Sequence, residues 1–467
     1  MAVRFSRSRL NFFLLISLLW AIHAGAEIHL WLTDMDHGIL FREQTAPPPF
    51  GNGTNGNQTI AVDESESYQT MDGFGCCLTG GSAELLMRMQ PDHRTALLKE
   101  LFDTEGNHIG ISYLRVSIGS SDLDEHPFSY DDLPDGQTDP NLAKFSLAPD
   151  DRAVRPILKE ILAICPELKI LGSPWSAPAW MKDNHDTRGG SLKRGFYEAY
   201  ANYFVKYIEG MKGNGIAIDA ITIQNEPLNP NNNPSMYMSA LDQGSFIKNY
   251  LGPAFHSAGI ETKIILYDHN CDHPEYPISI LNDPDAKKFV DGSAFHLYAG
   301  KIDTLSKVHR AHPDKAVYFT EQWMGGHSDP KASLDEHIKD LIIGAARNWS
   351  RNELEWNLAA DSSYQPHTDR GGCDRCQGAL TIDGDKVTRN AAYYVMAHAA
   401  KFARPGSVRI ASNALVSLPN VAFKTPSGQR VLLVLNNDSS PVTFNIRHQG
   451  RQSPTSLPAG GVGTYIW

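Results

Sequence analysis

Short apolar runs alternate with amphipathic stretches between about residue 71 and residue 401. Runs of this length predict buried β-strands, and they begin near Met71, Ile111, Ile170, Ala220, Lys263, Val290, Ala316 and Glu353. The intervening stretches repeat apolar residues at three- and four-residue steps, as helices do, over residues 92–102, 155–164, 196–211 and 334–347. Such strand–helix units predict an α/β fold, a parallel (β/α)8 TIM barrel with its functional residues at the carboxyl ends of the strands.

The two flanking segments follow a different pattern. Residues 404–467 show no helical period, and their strand-like runs at 421–424, 430–435 and 442–446 are separated by turn-forming clusters. We therefore predict an antiparallel β-sandwich over residues 404–467. The N-terminal segment, residues 27–68, is expected to add strands to that sandwich, and the barrel is expected to span residues 69–403.

The first 26 residues are predicted to be a secretory signal. Arg4, Arg7 and Arg9 give a positive start, residues 12–22 are apolar, and Ala24-Gly25-Ala26 resembles a cleavage site. A membrane anchor is the alternative, but the apolar run is shorter than a bilayer requires. The sequence thus predicts a secreted or lumenal protein, extracellular or lysosomal, without a transmembrane anchor.

Sequons and cysteines fit an exported protein. Asn-x-Ser/Thr triplets, which are glycosylation acceptors in exported chains, occur at Asn52, Asn57, Asn348 and Asn437. Six cysteines are compatible with an oxidising compartment. Cys373 and Cys376 are predicted to form a disulfide, and Cys165 to be a packed thiol. Partners for the remaining three stay open: Cys76, Cys77 and Cys271.

Charge and motifs exclude several classes of function. The formal net charge is −11 and no basic block occurs, which argues against nucleic acid as a partner. A nucleophile elbow, a zinc-protease motif and a phosphate-binding loop are all missing from the sequence, so no metal or cofactor is implied. Residues 51–56 match a dinucleotide fingerprint literally, but they follow no predicted strand and contain a sequon.

Two buried strands are predicted to end in a glutamate. Residues 221–226 lead to Glu226, and residues 317–321 lead to Glu321, at the ends of the fourth and seventh predicted strands. A retaining glycosidase uses two carboxylates about 5–5.5 Å apart, whereas an inverting one separates them by about 6.5–9.5 Å. We assign Glu226 as acid/base, with a pKa raised by burial and by the neighbouring carboxylate. Glu321 is assigned as the ionised nucleophile.

Other polar and aromatic residues near the strand ends are candidate substrate contacts. Arg115 is a charge within a buried strand and is predicted to pair with Glu321. Asn225 is placed to bind the 2-hydroxyl of the sugar. Flat apolar surfaces for a sugar ring are expected from Trp175 and Trp356, with Trp323 just beyond the nucleophile. Further candidates end strands five and six: Asp268, His269, His296 and Tyr298. His296 is as readily explained as a core histidine as a ligand contact, and the Tyr298 hydroxyl is expected to contact the nucleophile.

Taken together, these motifs resemble glycoside hydrolase family 30, the family of the lysosomal glucosylceramidases. The likeness covers most of the chain and includes Asp72-Gly73-Phe74-Gly75, Ser173-Pro174-Trp175, Asn225-Glu226-Pro227, Leu251-Gly252-Pro253, His296-x-Tyr298, Trp356-Asn357-Leu358-Ala359 and Tyr465-Ile466-Trp467. The resemblance implies a retaining mechanism, a barrel with an attached β-sandwich, and the roles given above to the two glutamates. It also implies sugar contacts from Trp175, Asn225, Tyr298 and Trp356.

One position departs from the resemblance. Glucosylceramidases of the family carry a Gly-Ala-x-Thr-Asp pattern after the first strand, and Gly80 stands here in place of that aspartate. Losing a polar anchor changes discrimination between sugars, and a glycine is expected to leave room for a further sugar. We therefore expect an endo-acting enzyme on β-1,6-glucan, with glucosylceramide as the alternative β-glucoside substrate. A binding protein without catalysis is a third hypothesis, against which both intact glutamates argue.

Overall fold

A computed structural model describes residues 27–467, so the predicted signal segment lies outside the described residues. Eight parallel strands close into a barrel, which confirms the predicted architecture. We number them β1 Gly73–Leu78, β2 Tyr113–Ser117, β3 Lys169–Ser173, β4 Ala220–Thr222, β5 Lys263–Cys271, β6 Gly292–Gly300, β7 Ala316–Glu321 and β8 Ser350–Asn357. The barrel closes where β8 pairs with β1, with Asn352 opposite Gly73.

The barrel interior is built in layers. Most of its strands contribute to one buried apolar cluster, whose members are Tyr113, Leu171, Ala220, Ile265, Ala294, Tyr318 and Leu354. Because side chains in a strand alternate between faces, the residue two positions later also faces inward. In β2, β3, β4, β6, β7 and β8 those positions hold polar or amphipathic groups, namely Arg115, Ser173, Thr222, His296, Thr320 and Trp356. An apolar plug therefore supports a polar layer beneath the carboxyl ends of the strands.

Helices surround the barrel. The α-helices are Gly80–Arg88, Pro91–Phe102, Val154–Ile164, Tyr197–Gly213, Ala240–Phe246, Gly252–Ala258, Glu275–Leu281, Pro284–Lys287, Thr304–Ala311, Pro330–Glu336, Gly344–Arg347 and Ala391–Ala400. Short 3-10 turns lie at Met35–His37, Ala148–Arg152, Ala179–Met181 and Arg194–Phe196. Two π-helical segments, Ile247–Leu251 and His337–Ile343, interrupt longer helices. The helix expected over residues 334–347 is consequently divided into three pieces. Among residues 27–467, no helix is both long and apolar enough to cross a membrane.

The second domain is one nine-stranded sheet that combines both ends of the described chain. In spatial order its strands are Ile39–Gln44, His29–Asp34, Val462–Ile466, Arg430–Leu435, Asn420–Lys424, Val408–Ser412, Thr59–Thr70, Val442–His448 and Arg451–Leu457. The N-terminal strands therefore join the C-terminal ones, as expected. The sheet is not wholly antiparallel, because Thr59–Thr70 pairs in parallel with Val442–His448.

Short strands join the loops above the barrel. Met324–Gly325, after β7, pairs with Cys376–Gln377, beyond β8. Ala359–Ala360, Leu380–Asp383 and Lys386–Arg389 form a second small sheet. The predicted disulfide between Cys373 and Cys376 is present. The other four cysteines are free thiols, and Cys165 is only partly buried.

Candidate active site

A cavity of about 460 Å³ opens at the carboxyl ends of the barrel strands. This volume lies within the range of small-molecule sites. Its wall includes both predicted glutamates, Glu226 and Glu321, and aromatic residues from several strand ends. Further residues in its wall include Asp122, Trp175, Asn229, Asn232, His269, Tyr298, Trp323 and Trp356.

The two glutamates face each other across this cavity. An oxygen of Glu226 and an oxygen of Glu321 lie within 4.8 Å of one another, which is much closer than the about 6.5–9.5 Å of inverting enzymes and near the about 5–5.5 Å of retaining ones. Glu226 follows β4 with a φ of 45°, which an L-residue rarely adopts. Its backbone N–H donates a 3.0 Å hydrogen bond to the carbonyl of Asp268, which holds this strained turn in place.

Arg115 connects the nucleophile candidate to the barrel interior. Its guanidinium is fully buried and donates to Glu321 at 2.5 Å, to Asn225 at 2.6 Å and to Asp268 at 2.8 Å. Burial acts to lower the pKa of Arg115, but the charges of Asp268 and Glu321 outweigh it and raise the pKa. The structure therefore contains the predicted pair, and a permanent cation orients both Glu321 and Asn225.

Asp268 and His296 lie beneath the cavity, and neither is exposed. Asp268 accepts hydrogen bonds from Thr222 and Thr320, each at 2.6 Å, and from Ser173 at 2.8 Å. The expectation that Asp268 contacts substrate is wrong, because its carboxylate is used entirely within the barrel. Burial would raise the pKa of Asp268, but Arg115 and then His296 hold it well below its usual range. Arg115 and His296, expected as contacts, are equally inaccessible to a sugar.

His296 bridges two carboxylates, so neither alternative left open for it describes its place. Its Nδ1 lies 3.2 Å from Glu226 Oε1, and its Nε2 lies 3.1 Å from Asp268 Oδ1. Burial lowers the pKa of His296, but Glu321 and the bond to Asp268 overcome this and raise it to about 9. The imidazole is therefore a cation at neutral pH.

This cation redistributes the protons of the site. Burial raises the pKa of Glu226, but bonding to His296, the charges of His296 and His269, and the Asn229 amide lower it to about 2. Burial keeps the pKa of Glu321 raised, although His296 and Arg115 act to lower it. The expectation of a raised pKa for Glu226 is thus wrong, because the bond to His296 and the charge of His296 favour the ionised carboxylate.

The same cluster is the set of residues in the described chain that could ligate a metal ion. Glu226, His296 and Glu321 each offer one ligand atom, all within 4.8 Å of one another. A metal-bound histidine must supply a free nitrogen lone pair. Both ring nitrogens of His296 instead face carboxylate oxygens. This geometry suits a protonated imidazole better than a bound metal ion.

Aromatic side chains form the walls of the cavity. Trp175 and Trp356 stack with ring centroids 5.2 Å apart, and Arg115 lies 4.8 Å from the Trp175 ring. The Tyr298 hydroxyl donates to Glu321 Oε1 at 2.8 Å, as expected. Within residues 27–467, the Trp175 indole N–H and the His269 Nδ1 have no hydrogen-bond partner. Both residues line the cavity, although these two atoms are themselves buried.

Sequence reasoning missed four polar residues of the cavity, Asp122, Asn229, Asn232 and Asn270. Asp122 lies five residues beyond β2, and burial, followed by the charges of Glu321 and Glu226, raises its pKa to about 8. Asn229 and Asn232 lie in the run after β4, and both donate to Glu226. Asp122 follows the end of β2 as Glu226 follows the end of β4, so its position in the sequence was a usable signal. The concentration of asparagines after β4 was also a usable signal.

Gly80 does not make room for a sugar. A Cβ atom at this position would lie 1.7 Å from Asp124 Oδ1, so the carboxyl group of Asp124 fills the space. The other oxygen of Asp124 accepts hydrogen bonds from the backbone N–H and the hydroxyl of Ser121, at 2.7 and 2.9 Å. The expectation of an additional subsite created by this glycine is wrong.

Comparisons with known proteins agree with this geometry. The model of the glycosyl hydrolase family 30 TIM-barrel domain matches residues 71–403, and that of the family's β-sandwich domain matches residues 406–465. An endo-1,6-β-D-glucanase of Aspergillus fumigatus is 34% identical over 452 residues, covering 90% of this chain and 91% of that protein. The lysosomal acid glucosylceramidase of Mus musculus is 28% identical over 446 residues, covering 89% and 84%.

A solved structure also superimposes on nearly the whole chain. The endo-β1,6-glucanase BT3312 matches with a TM-score of 0.87 and 32% identity, covering 95% of this chain and 99% of that one. Family models for both domains and relatives over nine-tenths of the chain agree with a barrel that brings two glutamates across one cavity. This chain belongs to glycosyl hydrolase family 30 and is a glycoside hydrolase.

Proposed function

We propose that the protein is an exported, retaining endo-β-1,6-glucanase in which Glu226 is the acid/base and Glu321 the nucleophile. The observation that carries the reaction type is the approach of the two carboxylates to within 4.8 Å across the cavity. A separation of about 5–5.5 Å leaves room for one sugar carbon between them and none for an intervening water. Their placement therefore supports double displacement.

The first step forms a covalent glycosyl–enzyme intermediate. Glu321 attacks the anomeric carbon as the bond to the leaving oxygen breaks, and Glu226 gives that oxygen a proton. His296 can supply this proton to Oε1, which its Nδ1 faces at 3.2 Å, and rotation of the carboxyl group then turns the protonated oxygen towards the leaving oxygen. In the second step Glu226 takes a proton from water, the water oxygen attacks the same carbon, Glu321 leaves, and the proton passes back from Glu226 to His296.

Residues around the pair are placed to hold the sugar. Asp122 brings a carboxyl group, and Trp175 and Trp356 bring flat ring faces. Asn225, bonded to Arg115, is held beside the acid/base for the 2-hydroxyl. Hydrogen bonds to that hydroxyl strengthen in the transition state.

The substrate proposal rests on similarity. Relatives whose names are endo-1,6-β-glucanase are 32–38% identical to this chain, against 28% for the murine glucosylceramidase. Glucosylceramide is the second candidate because that relative covers 89% of this chain. Export is proposed from the signal-like residues 1–26 and from the disulfide, which favours an oxidising compartment.

One experiment tests both the substrate and the mechanism. The purified protein is incubated in parallel with a linear β-1,6-glucan and with glucosylceramide, and new reducing ends and released ceramide are measured. We expect oligosaccharides from the glucan and β-configured reducing ends in the first minutes of ¹H NMR. Ceramide release with an inert glucan would reverse the choice of substrate, and α-configured ends would exclude double displacement.

Two variants link the reaction to the proposed nucleophile. Glu321→Gln removes the attacking charge with little change of volume, so we expect a loss of at least about 10³-fold in kcat. The control is Glu336→Gln, the same change on the exposed side of a helix beyond β7. Equal activity of the two variants would show that Glu321 is not the nucleophile.

A further inference from the structure

The segment after β4 contains four asparagines within five residues: Asn229, Asn231, Asn232 and Asn233. Two of them reach the same oxygen of the acid/base. Asn229 Nδ2 donates to Glu226 Oε2 at 2.7 Å, and Asn232 Nδ2 donates to it at 3.3 Å. The other oxygen, Oε1, faces His296. Each oxygen of Glu226 therefore faces nitrogen donors, and donors to a carboxylate favour its ionised form.

The loop that presents these amides is anchored on both sides. Asn233 is buried, and its Nδ2 donates to the carbonyl and to the carboxylate of Asp369, each at 3.0 Å. On the other side, the Thr187 hydroxyl donates to Asn233 Oδ1 at 2.7 Å. Gly371 lies against the same loop, where a Cβ would come within 2.4 Å of the Asn231 carbonyl oxygen. The backbone of the loop that carries Asn229 and Asn232 is therefore held by contacts with neighbouring loops.

Both amides also lie in the cavity wall beside Glu226, where the leaving group has to approach the acid. Asn229, Asn232 and Glu226 line the cavity together, whereas the His296 that faces Oε1 is completely buried. A glycosidic oxygen must approach within hydrogen-bond reach of the acid to receive its proton. Because Oε1 faces the buried His296, Oε2 is the oxygen left for the leaving group, and the two amides compete with it there.

We propose that Asn229, assisted by Asn232, is a positioning residue that holds Glu226 Oε2 in the free enzyme and releases it when the leaving oxygen binds. This inference rests on the proposed role of Glu226 as acid/base. In the free enzyme the two amides favour the ionised form of the Glu226 carboxylate. When a sugar displaces them, that restraint is lost and Glu226 becomes a better carrier of the proton it must donate.

The charged surroundings of Glu226 are the same with or without these amides. The titratable groups that face it are Asp122 from the loop after β2, Asp268 and His269 from β5, His296 and Tyr298 from β6, and Glu321 from β7, with Arg115 from β2 behind them. Because interacting groups titrate together, the upper apparent pKa belongs to the whole cluster. Removing a donor from the carboxylate raises that value wherever the proton resides.

The test is the pH dependence of kcat/KM on β-1,6-glucan for four variants. Asn229→Ala removes the shorter bond, and we expect the alkaline limb to move up by about one pH unit. Asn232→Ala should move it in the same direction by less, because its bond is longer. Asn229→Asp places a second anion beside Glu226 and should give the largest rise. Asn231→Ala is the control, since Asn231 is exposed and belongs to the same loop.

The outcomes separate this inference from the proposed function. A wild-type protein that is inactive on β-glucosides would refute the proposed function itself. If the wild type is active but the limbs of Asn229→Ala, Asn232→Ala and Asn229→Asp coincide with that of Asn231→Ala, the positioning role is refuted. A uniform fall of kcat/KM at every pH, with an unmoved limb, would indicate a structural role only and would equally overturn the proposal. Should Asn229→Ala not fold, Asn232→Ala decides by the same criterion.

Discussion

Replacing Gly80 by alanine should destabilise the protein, although alanine is the better helix former. Gly80 is the first residue of the helix Gly80–Arg88 and has no left-handed backbone angle, so its conformation suits alanine. The added Cβ would nevertheless lie 1.7 Å from Asp124 Oδ1, half of the ordinary contact distance of 3.4 Å. Asp124 cannot withdraw without breaking its bonds to Ser121.

The expected size follows from these contacts. Overpacking a buried site costs about 1–3 kcal/mol, and each hydrogen bond lost by Asp124 costs about 1 kcal/mol. The better helix propensity of alanine returns at most about 1 kcal/mol. We therefore expect Gly80→Ala to lower the free energy of unfolding by about 2–4 kcal/mol.

A double-mutant cycle isolates the clash. Unfolding in urea is followed for Gly80→Ala, Asp124→Ser and the combined variant. Serine at position 124 removes the obstructing carboxyl group, so in that background Gly80→Ala should be neutral or stabilising. An alanine that costs the same in both backgrounds would refute the reasoning, because the two positions would then be independent.

Two further predictions concern buried carboxyl groups. Asp122→Ala should lower kcat/KM on β-1,6-glucan by about 10- to 100-fold, because a hydrogen bond to a sugar hydroxyl is lost. The control Asp135→Ala, at an exposed position, should leave kcat/KM unchanged. Equal kcat/KM values for the two variants would show that Asp122 does not bind the substrate. Glu353 is buried, and burial first, then Glu355, raises its pKa well above the usual range. Its folded-state pKa exceeds the unfolded one, so the stability it contributes is complete below about pH 4.3 and falls by about 1.4 kcal/mol per unit as pH rises towards the folded pKa. Glu353→Gln should therefore unfold at a higher temperature than the wild type, with an advantage that grows as the pH rises from about 5 towards the folded-state pKa. A difference that does not change with pH would contradict this.

The fold and the centre of the site could be predicted because both depend on local periodicity. Apolar runs mark barrel strands, and a strand in a parallel barrel delivers its last side chains to one face of the molecule. Glu226, Glu321, Trp175 and Trp356 each terminate or follow such a run, so their convergence required no knowledge of contacts. The stagger between strands did not have to be known either, because the closed barrel brings all carboxyl ends together.

The remaining features depend on contacts between distant segments. Asp268 also comes from β5 near its end, but neighbouring strands place donors around it from β2, β3, β4, β6 and β7, and the cavity never reaches it. Gly80 appeared to mark an empty space, because nothing local reveals that Asp124 fills it. In both cases the residue type was informative, and its surroundings decided what it does.

Proton placement is the clearest example of chemistry that residue identity does not determine. Two buried glutamates facing each other suggest that one keeps a proton, and the sequence places that proton on Glu226. The two-residue period of β6 puts His296 in the polar layer two positions beyond Ala294, between both carboxylates and above Asp268. With Arg115 already neutralising part of the negative charge, a cationic His296 stabilises Glu226 as an anion in the empty site. With Glu226 as the proposed acid, the acid is charged before substrate binds, and we expect a sugar to displace the amides of Asn229 and Asn232 and to draw the proton from His296 to Glu226 before the glycosidic bond breaks.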